Sequence, residues 1–497
     1  MSDSFYAVIF FLLFTITMTP CLADYSANWT WEDYPYSDYV WYLEQTPDGD
    51  YLVTGSRLTS GLIGGCVALF HWQSDIPVFK FVFDDNPVEA VAISNNGSLI
   101  AAAVPGTLIV FDNTGQEVWS HDLSSLGYPR SLDFDPTGDL LVFSGDLGIG
   151  NRSTGRIALF DGNNGDLIWV DIPSSHGVPE ANASRKLQIS DDSRWIVGSI
   201  RSNQIPSTGR VIVYDLLSPD PSTPSFFLDV EEGTYSSDSG LALNADRFAV
   251  NASTWLEYHD LSEPVSGVKD PLWEIDCGGY WSLGARCGIS SDGSVVAFHS
   301  SSLGNESGYA RIFQGSDGTE LFSMETDFFA PELNVSPDGS RVAFSGSHIQ
   351  YDYDFGRVLI WDQQLNSIFC ELHTFGPVRF NHTGDRLWAG SGRDQNLIWS
   401  QPQLYNLVEN DPPTCTIEEP AGGSTSIYEI QLSGSASDPD NDLNRVEVKY
   451  SDSVILASPQ STTLENWSAA INLADVNPGP LTIQARAIDS LHKHGQW

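Results

Sequence analysis

Leu333–Asp362 reads LNVSPDGSRVAFSGSHIQYDYDFGRVLIWD. A short apolar run enters Ser336-Pro337-Asp338-Gly339, which reverses the chain. Pro337 fixes φ at roughly −65° and Gly339 tolerates a positive φ, so these residues suit a tight hairpin corner. A second strand, Arg341–Ser345, follows. After a loop, a third strand covers Arg357–Trp361 and ends in Trp361-Asp362.

The same phrase recurs roughly every 40–55 residues. Its corners fall at Asp48-Gly49, Asn96-Gly97, Thr137-Gly138, Asp192-Ser193, Ala245-Asp246, Asp292-Gly293, Asp338-Gly339 and Thr383-Gly384. Each third strand ends in an aromatic: Phe70, Phe111, Phe160, Tyr214, Tyr258, Phe313, Trp361 and Trp399. A shorter fourth strand follows each of these except Trp399, after which the chain enters Gln401–Asn410. Four-strand repeats of this period are propeller blades. The expected fold is therefore all-β: an eight-bladed β-propeller, or a seven-bladed one if the first or fifth repeat is degenerate. Asn28–Asp33 supplies the missing strand to the blade built from Pro377–Ser400 and so closes the ring. The recurrent aromatics are expected in the core between blades.

Ser336–Gly346 with Val358–Asp362 resembles WD-repeat blades. Phe111–Trp119 and Phe160–Trp169 resemble the aspartate-x-x-x-glycine-x-x-x-tryptophan strand pair of quinoprotein-type propellers, a superfamily that commonly has eight blades. The likeness spans roughly residues 25–407. It speaks to fold and leaves function open, because propellers host unrelated activities. Beyond a linker at 408–413, with its rigid Asp411-Pro412-Pro413, residues 414–497 change character. Ile430–Asp442, Val446–Val448, Trp467 and Ile483–Ala487 resemble bacterial and archaeal immunoglobulin-like surface modules, which implies a small β-sandwich. Its last strand is not evident before Trp497, so the sequence reads as a fragment.

The chain of 497 residues carries 23 Lys+Arg against 65 Asp+Glu, a formal net charge of −42. Such a surface repels phosphate backbones and anionic lipid, which argues against nucleic acid as a partner. Residues 1–23 read as a signal peptide, with Phe5–Ala23 its apolar run. Asp3, and the lack of Lys or Arg before the run, leave an uncleaved membrane anchor as the alternative. Sequons such as Asn28, Asn96, Asn151 and Asn381 agree with export.

In an exported protein Cys277 and Cys287 are spaced for a disulfide between neighbouring blades, with two buried thiols as the alternative. Cys370 and Cys415 form a second candidate pair. Asp438, Asp440 and Asp442 alternate, so their carboxylates could converge on Ca²⁺, or the run is a structural turn. No other cofactor is expected. Zinc is disfavoured by the lack of CxxC or HxxxH spacing.

The loops Gly145–Gly155, Ile200–Gly209, Ser300–Gly308 and Gly346–Gly356 are long and lie on one face of a propeller, where binding residues concentrate. Tyr351, Asp352, Tyr353 and Asp354 are the richest set, able to stack on a sugar or peptide. Arg156, Arg210 and Arg357 each precede a third-strand aromatic by the same spacing. They could ring an anion or pair with neighbouring acids. There is no G-x-S-x-G elbow, no C-x-x-C-H site and no vicinal cysteine pair. The expected function is a non-catalytic binding or adhesion protein of a microbial cell surface. It would engage an extracellular protein or polysaccharide and associate with the envelope. The competing class is an enzyme, either a quinoprotein-like oxidoreductase or a polysaccharide-active propeller. Acidic and aromatic side chains converging on the channel would favour that class.

Overall fold

The Ser336–Arg341 corner shows why the repeat folds as it does. Ser336 Oγ donates to Asp338 Oδ1 at 2.7 Å and accepts the Arg341 amide at 2.9 Å. Asp338 Oδ1 in turn accepts the Ser340 amide at 3.0 Å. Gly339 takes φ +73°, the left-handed conformation its lack of Cβ permits. The same closure, an amide and carbonyl five residues apart, recurs at Thr46–Tyr51, Ser94–Leu99, Asp135–Leu140, Ser190–Trp195, Ser290–Val295 and Asn381–Arg386. At Asp192-Ser193 the left-handed place falls to Ser193 (φ +57°). The poorest sequence match, at Ala245-Asp246, is a shorter turn: Asn244 N–H bonds Arg247 O, and Asn244 Oδ1 accepts the Asp246 and Arg247 amides.

The computed structural model describes residues 23–24, 29–30, 39–57, 64–74, 76–148, 154–176, 186–201, 209–230, 241–244, 246–252, 255–261, 270–277, 286–302, 305–326, 328–347, 356–372, 376–390, 402–407, 414–419, 429–437, 443–450, 453–459, 466–472 and 483–489. Two compact units result, one of which is 27–407. Within it the described strands form eight successive antiparallel sheets, here called blades 1 to 8. Their inner strands are Tyr39–Gln45, Ala90–Ile93, Tyr128–Phe134, Leu187–Ile189, Leu241–Leu243, Arg286–Ile289, Phe329–Val335 and Val378–Phe380. Each inner strand packs on the next, and the eighth returns to the first.

Trp29–Thr30 closes blade 8, with Trp29 opposite Leu404 and Thr30 opposite Gln403. The third strand of that blade differs from expectation. It is Pro402–Asn406, with Tyr405 opposite Leu387 where Trp361 stands opposite Val342 in blade 7. Tyr405 therefore takes the aromatic place assigned to Trp399, which lies outside the described residues. Ser300–Gly308, expected as a loop, is mostly hairpin: Ser300 pairs with Tyr309 and Ser301 with Gly308.

The recurrent aromatics pack between blades. Phe70, Phe160, Tyr214 and Phe313 are fully buried, and Phe111 and Trp361 nearly so. At two junctions a tryptophan on one blade's outer strand also bonds the turn after the next blade's third strand. Trp119 Nε1 donates to Gly162 O at 2.8 Å, and a Cβ on Gly165 would meet the Trp119 ring at 2.6 Å. Trp273 Nε1 does the same to Gly315 O at 2.8 Å. Blade 4 has no glycine in the matching turn, and Trp169 Nε1 is buried without a partner.

The second unit contains residues 408–497. One of its sheets orders Thr414–Glu419, Glu429–Ser437, Asn466–Asn472 and Ser458–Pro459; the other orders Ser453–Leu456, Leu443–Tyr450 and Ile483–Asp489. Trp467, Ile471, Val446, Val448 and Ala487 form its buried core. No helix among the described residues is long and apolar enough to cross a membrane.

Candidate functional site

Each inner strand runs into its corner residue, and the residue two places earlier faces the next blade at the channel wall. Reading round the ring, those positions hold Glu44, Ala92, Asp133, Gln188, Ala242, Gly288, Asn334 and Arg379. Three of the polar residues reach across to the next blade. Asp133 Oδ2 accepts the Ile189 amide at 2.7 Å, and Asn334 Oδ1 accepts the Phe380 amide at 2.9 Å. Arg379 donates to both oxygens of Glu44, at 2.7 and 3.1 Å, and lies 3.8 Å from Glu332. These residues share a pocket of about 440 Å³ with Lys186, Asp191, Arg130 and the half-exposed Trp41.

The pocket is polar and charged, and its electrostatics follow from partial burial. Desolvation pushes the Asp133 carboxyl well above its ordinary range; the Ile189 amide opposes this and Glu44 adds to it. Burial likewise raises Asp191, with Asp192 contributing. Burial lowers Lys186, and Arg379 adds to the shift. Burial works against the charge on Arg379, but Glu44 and then Glu332 hold it firmly protonated. Arg130 is tied to Asp146 at 2.7 Å. The wall thus presents carboxylates, amides and cations already knitted to one another.

The three arginines expected from sequence fall elsewhere. Arg156 donates to the Thr154 and Gly155 carbonyls, Arg210 lies over the Phe227 ring, and Arg357 pairs with both oxygens of Glu371. None of the three lines the channel pocket. For Arg357 the partner is an acidic neighbour, one of the two outcomes the sequence left open. Tyr351, Asp352, Tyr353 and Asp354, and Asp438, Asp440 and Asp442, lie outside the described residues. Among the described residues no group of three or more His, Cys, Asp or Glu is placed to hold a metal.

The expected Cys277–Cys287 disulfide is not formed. Both are buried thiols in one apolar cluster, with Cys287 Sγ donating to Ala249 O at 3.4 Å. Burial raises both thiols to about 12. Cys370 and Cys415 are thiols as well. One further polar chain, His176–Asp171–Tyr214, joins blades 3 and 4 at 2.8 and 2.7 Å. Tyr214 is fully buried, so this chain is mortar between sheets.

The comparisons agree with this architecture. The C-terminal WD40 domain of Sif2 is similar at 12% identity and a TM-score of 0.51, covering 78% of this chain and 99% of that one. Residues 27–407 are a β-propeller. Sqt1 of Chaetomium thermophilum, solved bound to the N-terminus of ribosomal protein L10, is similar to the propeller at 11% identity and TM-score 0.54, covering 77% and 100%. The Dos1 propeller is similar at 13% and 0.51, covering 78% and 96%. Identities this low speak to the fold alone. Residues 413–489 match the family model of a bacterial Ig domain. No curated protein matches the chain.

Proposed function

We propose that this is a binding or adhesion protein of a microbial cell surface whose propeller engages its partner through the central channel. The observation that carries the reading is the polar ring. At equivalent inner-strand positions blades 2, 5 and 6 hold Ala92, Ala242 and Gly288, whereas blades 1, 3, 4, 7 and 8 hold Glu44, Asp133, Gln188, Asn334 and Arg379. The fold is satisfied by a small residue there, so the charged groups exceed what closure requires. Burying them costs free energy that binding would offset. The bacterial Ig match supports a place outside the cell, as does reading the apolar run Phe5–Ala23 as a signal.

The test is binding of the full chain to an array of extracellular glycans and surface proteins, with Asp133→Asn and Trp41→Ala beside the parent. Loss of binding in both, with melting unchanged, supports the channel. Undiminished binding by both refutes it. A second reading, a polysaccharide-active enzyme, is favoured by the convergence of Glu44, Asp133, Glu332 and Trp41 on one pocket. Release of new reducing ends from a bound glycan would move the assignment to that class.

A further inference from the structure

Resting on the binding reading above, we propose that the channel pocket receives the terminal one or two sugar units of a neutral glycan. Charge narrows the ligand first. Glu44, Asp133, Asp191 and Glu332 face the space. Arg379 is already clamped by Glu44, with Glu332 nearby, and Arg130 is held by Asp146. Lys186 lies in the field of Glu332 and Glu44. An anionic ligand would compete with these carboxylates for the same cations and be repelled by them, whereas a neutral hydroxyl can use a cation's remaining N–H groups without displacing its partner. An apolar ligand fails for the opposite reason, since it would cover these groups and satisfy none of them.

A sugar hydroxyl both donates and accepts, and the wall offers both kinds of partner at fixed geometry. Lys186 and Arg130 donate; Asp133, Glu332 and the Gln188 amide oxygen accept. Gln188 lines the pocket, and its Oε1 atom is buried without a hydrogen-bond partner. Trp41, 50% exposed, supplies a flat apolar ring at the same pocket for the C–H face of a pyranose. Size sets the last limit. A space of about 440 Å³ is at the small end of ligand pockets, enough for about two pyranose rings and too little for a polymer lying along it. Recognition is therefore of a chain end. Because the wall is polar, a sugar lacking one matched hydroxyl should be rejected strongly, as buried polar groups are left unpaired.

The experiment is calorimetric titration of the full chain with neutral gluco-, manno- and N-acetylglucosamine oligosaccharides of one to six units, and with galacturonic acid oligomers of the same lengths. In at least one neutral series affinity should rise from one unit to two and then stay within about threefold. The charged series should bind at least about tenfold more weakly. Trp41→Ala and Lys186→Met should each lose about tenfold or more with the melting midpoint kept; Trp41 is half exposed, so its removal spares the fold. Affinity that keeps climbing beyond two units would mean a groove and overturn the inference. So would equal binding of the charged series, or variants that bind like the parent. If no neutral sugar binds while the full chain still binds a surface partner through the channel, this inference falls and the binding reading stands.

Discussion

Arg341→Met tests whether the last two blades are fastened as the geometry indicates. Arg341 is 6% exposed. Its Nε donates to Asp362 Oδ2 at 3.2 Å, and its Nη1 donates to Gly384 O at 2.8 Å and Leu407 O at 2.7 Å. The guanidinium also lies 4.7 Å over the Phe369 ring. One side chain thus ties the second strand of blade 7 to the corner of blade 8 and to the residue that ends the propeller unit. Methionine keeps the volume but strands Asp362 and deprives two carbonyls of a donor. Both charged side chains are 7% exposed, so solvent screens the pair little. Breaking a buried pair costs about 3–5 kcal/mol. Urea unfolding of the full chain, followed by tryptophan fluorescence, should show that loss with an unchanged slope. Adding Asp362→Asn to Arg341→Met should recover part of it, because the uncompensated charge is gone. A loss below about 1 kcal/mol in the single variant would refute the fastening.

His299 supplies a pH dependence. Desolvation is the main cause that holds its folded-state pKa at about 3 against an ordinary 6.5, with Arg286 contributing. The unfolded chain binds the proton first, so this stability is complete above pH 6.5 and is lost as pH falls toward 3. Between pH 7 and 5 the loss is about 2 kcal/mol, and His299→Gln should flatten the parent's slope by that much in paired urea titrations. Trp119→Phe should cost about 1–2 kcal/mol through the bond to Gly162 O, whereas Trp169→Phe, whose indole N–H has no partner, should cost less; equal costs would sink the role given to that bond. Gly339→Ala forces a Cβ into φ +73° and to 3.0 Å from Val295 Cγ2. A melt unchanged from the parent would contradict the expected loss of about 1–2 kcal/mol.

The fold was legible because corner chemistry is local. Ser336, Asp338 and Gly339 act on one another within a few residues, so their pattern survives in the linear string. The closing strand was legible through a deficit, since one repeat lacked its fourth strand. Trp399 misled because an aromatic near the right spacing looks like a strand end; only pairing with Leu387 identifies Tyr405. The site was harder to see. Glu44 and Arg379 meet across the first and last blades, and nothing local marks the partnership. A usable signal existed all the same. Taking the residue two before each corner side chain collects Glu44, Asp133, Gln188, Asn334 and Arg379 by strand alternation alone. Long loops drew attention instead, because loops usually carry function, but the arginines that follow them do not line the pocket.

The strand that closes the ring also sets how the propeller meets a pull. Trp29–Thr30 runs antiparallel to Pro402–Asn406. Residues 29 and 406 therefore lie toward the same end of the ladder, and tension applied between the two chain exits peels the bridges in turn. A shear geometry would load them together and resist far more. In single-molecule stretching between those exits, the ring should open in a first step at low force, before any blade unravels. That step should vanish when the closing strand is deleted. Under load the propeller would then act as a fuse that lengthens while its blades stay folded.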